Sequence, residues 1–376
     1  MKNQVAAKNT PPRSTFLGMD RRVLALILAI KAVVLIFGVV VFLIIHGEPP
    51  AGILSIWTRW DAEQYIAIAR DGYQATVAQR FSLVFYPLFP WVTRFVALAV
   101  RDYPASAILV STFASFAAGL LLWRLVRLDF PNQIADNAVW FLFIFPTSYF
   151  LHIGYTESLF LALVSGSFLM ARKEKWWLAG VLGALACLTR ANGVILIAAL
   201  AVEAMQQYRA IRKWSWGWLW IAFVALGAGG YLLLNYYVTG DAFKFVVFQR
   251  ENWHKSLAWP WVGIIGKFQT YSLVSPRVHM EVIQEIFFVA LGLVATIWSI
   301  AKLRAAYGVW MAGNWLLFVS TSLILSVPRY TLVMFPLFIM FANLARRFAW
   351  KVVITMWSVW FLIFFAIHFV LGQWAF

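Results

Sequence analysis

Five polar stretches carry the side chains with chemical reach in a chain that is otherwise strongly apolar. In "WTRWDAEQYIAIARDGY" (residues 57–73), Asp61 stands at a helix start, where a carboxylate can accept a proton from a substrate hydroxyl. "TRWD" also fits a capping box, with Thr58 as N-cap and Asp61 bonding back to the helix start; the two roles use different carboxylate oxygens. Arg59 and Tyr65 flank it as candidate substrate ligands. Glu63 and Asp71 read as solvated, with Asp71-Gly72 closing the helix.

The second stretch, "FPTSYFLHIGYTESLF" (145–160), turns between two apolar runs and offers His152, Tyr155 and Glu157. Glu157 is either a substrate-side carboxylate or an acid favoured by the positive end of the next helix, with Thr156 as its cap. His152 is a ligand or an interface residue held by a hydrogen bond. "CLTRANGVIL" (187–196) sets Arg190 and Asn192 in apolar surroundings. Its two readings are a hairpin turn, with freedom from Asn192-Gly193 and a snorkelling Arg190, and a phosphate-binding guanidinium. "SVPRYTLVMFPLF" (326–338) adds Arg329 and Tyr330, as interface anchors or as a second phosphate site. In "FQRENWHKSLAWPW" (248–261), Arg250, Glu251, His254 and Lys255 read as solvated charge. An ionisable group near hydrocarbon depth costs several kcal/mol unless paired or hydrated, so these residues start as functional candidates.

The elements that must position them are membrane helices. The chain has 376 residues, 63% hydrophobic and 12% charged, and its apolar runs approach or exceed the ~18 to 20 residues that cross a bilayer. This composition excludes a soluble protein. The first run, 23–45, is too long for the core of a signal peptide and reads as a retained helix. Further runs fall at 105–127, 134–150, 155–171, 176–189, 191–208, 217–238, 282–301, 309–326, 330–345 and 350–372, which predicts an all-α polytopic membrane protein of about eleven transmembrane helices (ten to twelve).

With the N-terminus cytoplasmic, the tail 1–22 and the short connections at 124–128, 172–175, 209–213, 302–304 and 346–351 hold more than half of the 31 basic residues, as the positive-inside rule requires. Two outer loops follow, 46–104 and 239–281, and the first contains two aromatic, amphipathic pieces expected to lie along the interface. The five polar stretches then share the outer side of a single membrane domain spanning 1–376. The net charge of +16 belongs to topology and anionic headgroups rather than nucleic acid. Cys187 is the only cysteine, so there is no intrachain disulfide and no cysteine metal site. No Asn-x-Ser/Thr acceptor occurs, which leans against a glycosylated eukaryotic protein.

Motifs for nucleotide, dinucleotide or metal are absent: no Asp-x-Asp, no Gly-x-x-x-x-Gly-Lys-Ser/Thr, no Gly-x-Gly-x-x-Gly and no His-Glu-x-x-His. The ordered set "RWDAEQYIAIARDGY", "FYPLFP", "FPTSYFLHIGYTESLF", "TRANG" and "PRYTLVMFP" resembles the PIG-V family of GPI mannosyltransferases II and their compact prokaryotic relatives, within the lipid-donor (GT-C) glycosyltransferases. The resemblance implies inverting transfer of a sugar, usually mannose, from a polyprenyl-phosphate carrier to a hydroxyl acceptor such as a glycolipid. It also implies an extracytoplasmic site and no cofactor or essential metal.

Carried onto this chain, Asp61 matches the proposed general base and Glu157 the acid of the Tyr-Thr-Glu-Ser turn. Arg190, Asn192, Arg329 and Tyr330 match the polar turns that hold donor phosphate. The chain lacks the longer lumenal insertions of eukaryotic members, which argues against the GPI precursor as acceptor; the compact form is expected in a prokaryotic cell membrane, or in the endoplasmic reticulum if the source is eukaryotic. The rival readings are a transporter or lipid flippase, a lipid-donor enzyme using another sugar, and a non-catalytic membrane subunit.

Overall fold

A computed structural model describes residues 13–74, 80–273 and 276–376. The expected N-terminal tail lies outside the described residues up to position 12, and from Arg13 it is already helical. The described residues are all-α, with one isolated bridge between Leu257 and Thr321.

In chain order the helices are α1 (Arg13–His46), α2 (Asp61–Asp71), α3 (Leu88–Val100), α4 (Tyr103–Val126), α5 (Asn132–Ile144), α6 (Glu157–Arg172), α7 (Trp176–Cys187) and α8 (Ile195–Ile211). The second half holds α9 (Ala222–Thr239), α10 (Lys244–Trp253), α11 (Pro260–Leu273), α12 (Pro276–Lys302), α13 (Ala305–Val319), α14 (Val327–Thr331), α15 (Pro336–Leu344) and α16 (Phe348–Val370).

Among the described residues, six helical segments have the length and apolarity to cross a bilayer: Arg21–His46, Tyr103–Val126, Ala191–Ile211, Trp216–Thr239, His279–Lys302 and Phe348–Val370. The first and fourth are buried over only 22% and 17% of their most apolar windows. Exposed Val33, Ile36, Leu226 and Leu233 cover the rest, a surface suited to lipid. The remaining five runs fold as shorter helices, α5, α6, α7, α13 and α15, each ending in a polar turn. Shortness here reflects depth in the bundle, since α6 and α15 are almost wholly buried and their ends meet protein groups that satisfy the backbone.

Two expected spans are reshaped. The 330–345 run is α14 and α15, with a break over Leu332–Phe335 ahead of Pro336, which has no N–H to donate back into the preceding turn. The 309–326 run is helical only to Val319; beyond it, Ser320 and Ser322 pair with the 239–281 segment, Ala258 N–H donating to Ser320 O at 3.1 Å and Ser322 N–H to Ser256 O at 2.9 Å. The tight turn expected near Arg329 is therefore a longer entry segment, 320–335.

Helix α6 sets the long axis. Glu157 opens it and Arg172 closes it, about 22 Å away at 1.5 Å per residue. At the Arg172 end, Arg172 pairs with Asp129 at 2.7 Å, and Arg304 donates to both oxygens of buried Glu203 at 2.8 and 3.0 Å. The Glu157 end holds the polar turns.

Candidate active site

Asp61 opens α2. The chain enters through Trp60 at φ 58°, a conformation that costs a non-glycine residue on the order of 1–3 kcal/mol. Four contacts hold this entry. Arg59 donates to Val370 O at 3.0 Å and to Ile56 O at 3.3 Å, Tyr155 OH donates to Arg59 O at 2.9 Å, and the Trp60 ring meets Trp374 edge-on at 5.4 Å. Gly72, φ 79°, closes the helix as expected, its N–H donating to Ile68 O.

The capping box does not form. The helix starts at Asp61 rather than beyond Thr58, so Asp61 is too early to bond back, and Thr58 donates to Leu54 O instead. The Asp61 carboxylate is thereby released, and Arg329 Nη1 donates to its Oδ2 at 2.5 Å. The Asp61 side chain keeps 30% exposure.

Arg329 rides on α14, which is also entered through a left-handed non-glycine residue, Ser326 at φ 68°. The carboxylate of buried Glu285 on α12 accepts from Ser326 N–H at 2.6 Å and Val327 N–H at 2.9 Å, capping α14 from a neighbouring helix. The Arg329 guanidinium lies over the rings of Phe150 (4.9 Å) and Tyr155 (4.6 Å), and its Nε donates to Glu157 Oε1 at 2.5 Å.

Glu157 Oε1 also accepts from Arg190 Nη1, which donates to Thr156 Oγ1 at 3.1 Å. Thr156 therefore serves Arg190 and makes no side-chain cap to α6. Arg190 does not snorkel: it is 9% exposed and held inward by Glu157. Gly193 has no positive φ. Its requirement is space, because a Cβ there would stand 2.6 Å from Ala186 C and in still closer contact with Cys187 N, where the turn folds back on α7.

These groups line a cavity of about 280 Å³ that takes in Asp61, Tyr65, Arg190, Asn192, Arg329 and Tyr330. Burial and the neighbouring Asp61 carboxylate push the Tyr65 phenol above its ordinary range, so it remains a neutral hydrogen-bonding group. Asn192 is held by its amide on Asn314 Oδ1 at 2.7 Å.

Four expected site residues lie outside the lining. Arg59 is spent on Val370 O, and Tyr155 and Glu157 form the layer that seats the arginines. His152 is fully buried, and no hydrogen-bond partner reaches either ring nitrogen. Burial and nearby Lys31 push its imidazole well below the usual range, so it is neutral, and Lys31 Nζ donates to its carbonyl at 2.6 Å.

Lys255 is the residue that sequence reasoning placed in solvent. Arg250, Glu251 and His254 around it are exposed, yet Lys255 is buried in the cavity wall, donating to Leu325 O at 3.2 Å and standing 5.3 Å over the Tyr330 ring. Pairing of 256–258 with 320–322 carries it there, a contact with no local sequence signal. Gln249, Trp253 and Trp374 also join the lining. Among the described residues no three His, Cys, Asp or Glu side chains cluster as a metal would need, so no metal ligand set can be named.

Fold and site together define an integral membrane protein of packed helices whose buried charges converge on a cavity at one end of the bundle. No family model matches the chain. Over 143 residues it is 33% identical to GPI mannosyltransferase 2 of Schizosaccharomyces pombe, a match covering 37% of this chain and 30% of that protein. It is 32% identical over 156 residues to GPI alpha-1,6-mannosyltransferase 2 of Mus musculus, covering 38% and 31%. The family that the five motifs resemble is thus present among its curated homologues, and the match spans about a third of their length. The chain also superposes on an Archaeoglobus fulgidus oligosaccharyltransferase with a TM-score of 0.49 at 13% identity, covering 93% of this chain and 53% of the other.

Proposed function

We propose that the protein is a membrane glycosyltransferase that moves a sugar, mannose by the names of its relatives, from a polyprenyl-phosphate carrier to a hydroxyl of a lipid-linked acceptor at the extracytoplasmic face. One observation carries the reading: Asp61, Arg190, Lys255 and Arg329 line one cavity, so a single carboxylate faces the same space as three cations. A carboxylate with an oxygen to spare suits proton abstraction from an alcohol. Cations beside it suit a sugar phosphate. The extracytoplasmic side is favoured because the Arg124, Arg127 and Arg172–Lys175 connections belong to the other end.

In this mechanism the Asp61 carboxylate takes the proton of the acceptor hydroxyl as that oxygen bonds to the anomeric carbon. The bond from that carbon to the phosphate oxygen breaks, and its electron pair stays on the phosphate. A single displacement of this kind inverts the anomeric centre. Arg190 and Lys255 hold the phosphate as its charge grows, being fixed before the reaction begins. Arg329 differs from its sequence-based expectation: two carboxylates and two rings engage it, and its role is to orient Asp61 through Oδ2 while Oδ1 stays turned to the substrate.

The test supplies purified protein in nanodiscs with radiolabelled polyprenyl-phosphate mannose, glucose and arabinose, together with glycolipid acceptors. Turnover of at least one donor is expected, with Asp61→Asn lowering it by about 100-fold or more while donor binding persists. Failure with every donor, or an active Asp61→Asn protein, would sink the proposal.

A further inference from the structure

A transfer reaction has two substrates, and the cavity around Arg190 and Lys255 accounts for one. A second cavity, of about 480 Å³, opens between the outer ends of α12 and α16. Its polar lining is Glu281, His368 and Gln373, and its aromatic wall includes Trp374, which also lines the Asp61 cavity. The shared indole touches Trp60, the residue immediately before Asp61. The two cavities are therefore neighbours across one side chain, and the general base sits just beyond it.

The lining specifies the ligand. His368 Nδ1 donates to Phe364 O at 2.8 Å, so in the neutral imidazole Nε2 is the acceptor. Glu281 adds a carboxylate and Gln373 an amide, so the lining is rich in acceptors and holds no Lys or Arg, with Lys267 of α11 acting on Glu281 from outside the lining. Groups of this kind bind hydroxyl donors and disfavour phosphate, opposite to the Arg190 and Lys255 side. Below the cavity, α12 and α16 close against each other through Phe287 and Trp357, ring centroids 5.6 Å apart. Ile283 and Phe287 on α12, and Trp360 and Ile363 on α16, remain exposed along that seam. An apolar tail can lie there while a polar headgroup occupies the cavity above.

Building on the glycosyltransferase reading, we propose that this second cavity is the acceptor subsite. It takes the uncharged, hydroxyl-rich headgroup of a lipid and presents one hydroxyl past Trp374 to Asp61. The donor phosphate is confined to the Arg190 and Lys255 side, and the two substrates meet at the indole.

The experiment uses octyl mannoside and octyl glucoside as probes and octyl phosphate as the charged control, with full-length protein in nanodiscs and binding read by saturation-transfer NMR without donor. Expected is binding of at least one glycoside but not octyl phosphate. Trp374→Ala and Glu281→Ala should each weaken it by about ten-fold, the order of one lost hydrogen bond or ring contact. Trp374→Phe retains a ring and should recover most of the binding, and a monodisperse size-exclusion profile shows that each variant is folded. In turnover assays Glu281→Ala, which lines the second cavity alone, should raise the acceptor KM and leave the donor KM unchanged.

No binding of either glycoside, binding insensitive to both alanine variants, or a parallel rise in donor KM would overturn the assignment. If the wild-type protein turns over no donor, the glycosyltransferase reading fails by itself, and the donor-free binding result still decides whether the cavity takes a hydroxyl-rich lipid.

Discussion

Arg329 joins Asp61 to Glu157: one guanidinium donates at 2.5 Å to Asp61 Oδ2 through Nη1 and at 2.5 Å to Glu157 Oε1 through Nε. Glu157 in turn receives Arg190, so a fully buried carboxylate holds two arginines together beneath a partly exposed one. Breaking a buried pair from one side strands a charge, at a cost of about 3–5 kcal/mol. Glu157→Gln is therefore expected to destabilise the protein by that order, seen as a large fall in thermal midpoint in detergent. Asp61→Asn, at a partly exposed position, should shift the midpoint far less, and equal shifts would contradict the layered arrangement.

Lys255 should act on the donor alone. Its ammonium makes one hydrogen bond to protein, to Leu325 O, and has further donors to offer the cavity. Lys255→Met is expected to raise the KM for a polyprenyl-phosphate sugar by about ten-fold, the worth of one charge-assisted hydrogen bond. Lys255→Arg should recover part of it. Steady-state kinetics at fixed acceptor read this directly, and an unchanged donor KM counts against Lys255 as a phosphate ligand.

Glu285 never reaches the cavity lining, yet it caps the short helix that carries Arg329. Replacing it by Ala removes both acceptors from Ser326 and Val327 and should cost about 1–2 kcal/mol of stability. The more telling readout is kinetic. A displaced Arg329 misaligns Asp61, so kcat should fall with little change in donor KM. A fall in stability with kcat preserved would limit Glu285 to a purely structural part.

Trp60 offers a test of stored strain. Neither Gly nor Ala keeps the ring contact with Trp374, but only Gly tolerates φ 58° without steric cost. Trp60→Gly should therefore be the more stable of the two by about 1 kcal/mol. Parallel unfolding of both variants decides it, and a more stable Trp60→Ala would mean that the entry to α2 is not strained.

Much of this protein is written locally. The apolar runs foretold where helices lie, because a run that shuns water has few other ways to satisfy its backbone. The Asp71-Gly72 stop is likewise local and appears as read. Asp61, Arg190, Asn192, Arg329 and Tyr330 stood out because a polar group in apolar surroundings needs a reason, and the structure brings all five to one cavity.

What local pattern could not supply was partnership. Asp61 and Arg329 are 268 positions apart and Glu157 and Arg329 are 172 apart, separations at which no helical or turn periodicity operates. Only tertiary packing made Glu157 a support for two arginines, sent Arg59 to the end of α16 and buried His152 away from the cavity. It also drew Lys255 out of an otherwise exposed loop. The physical reason is shared: a buried charge is settled by whichever partner the assembled bundle brings within hydrogen-bond reach, and sequence alone declares the need for a partner without naming it.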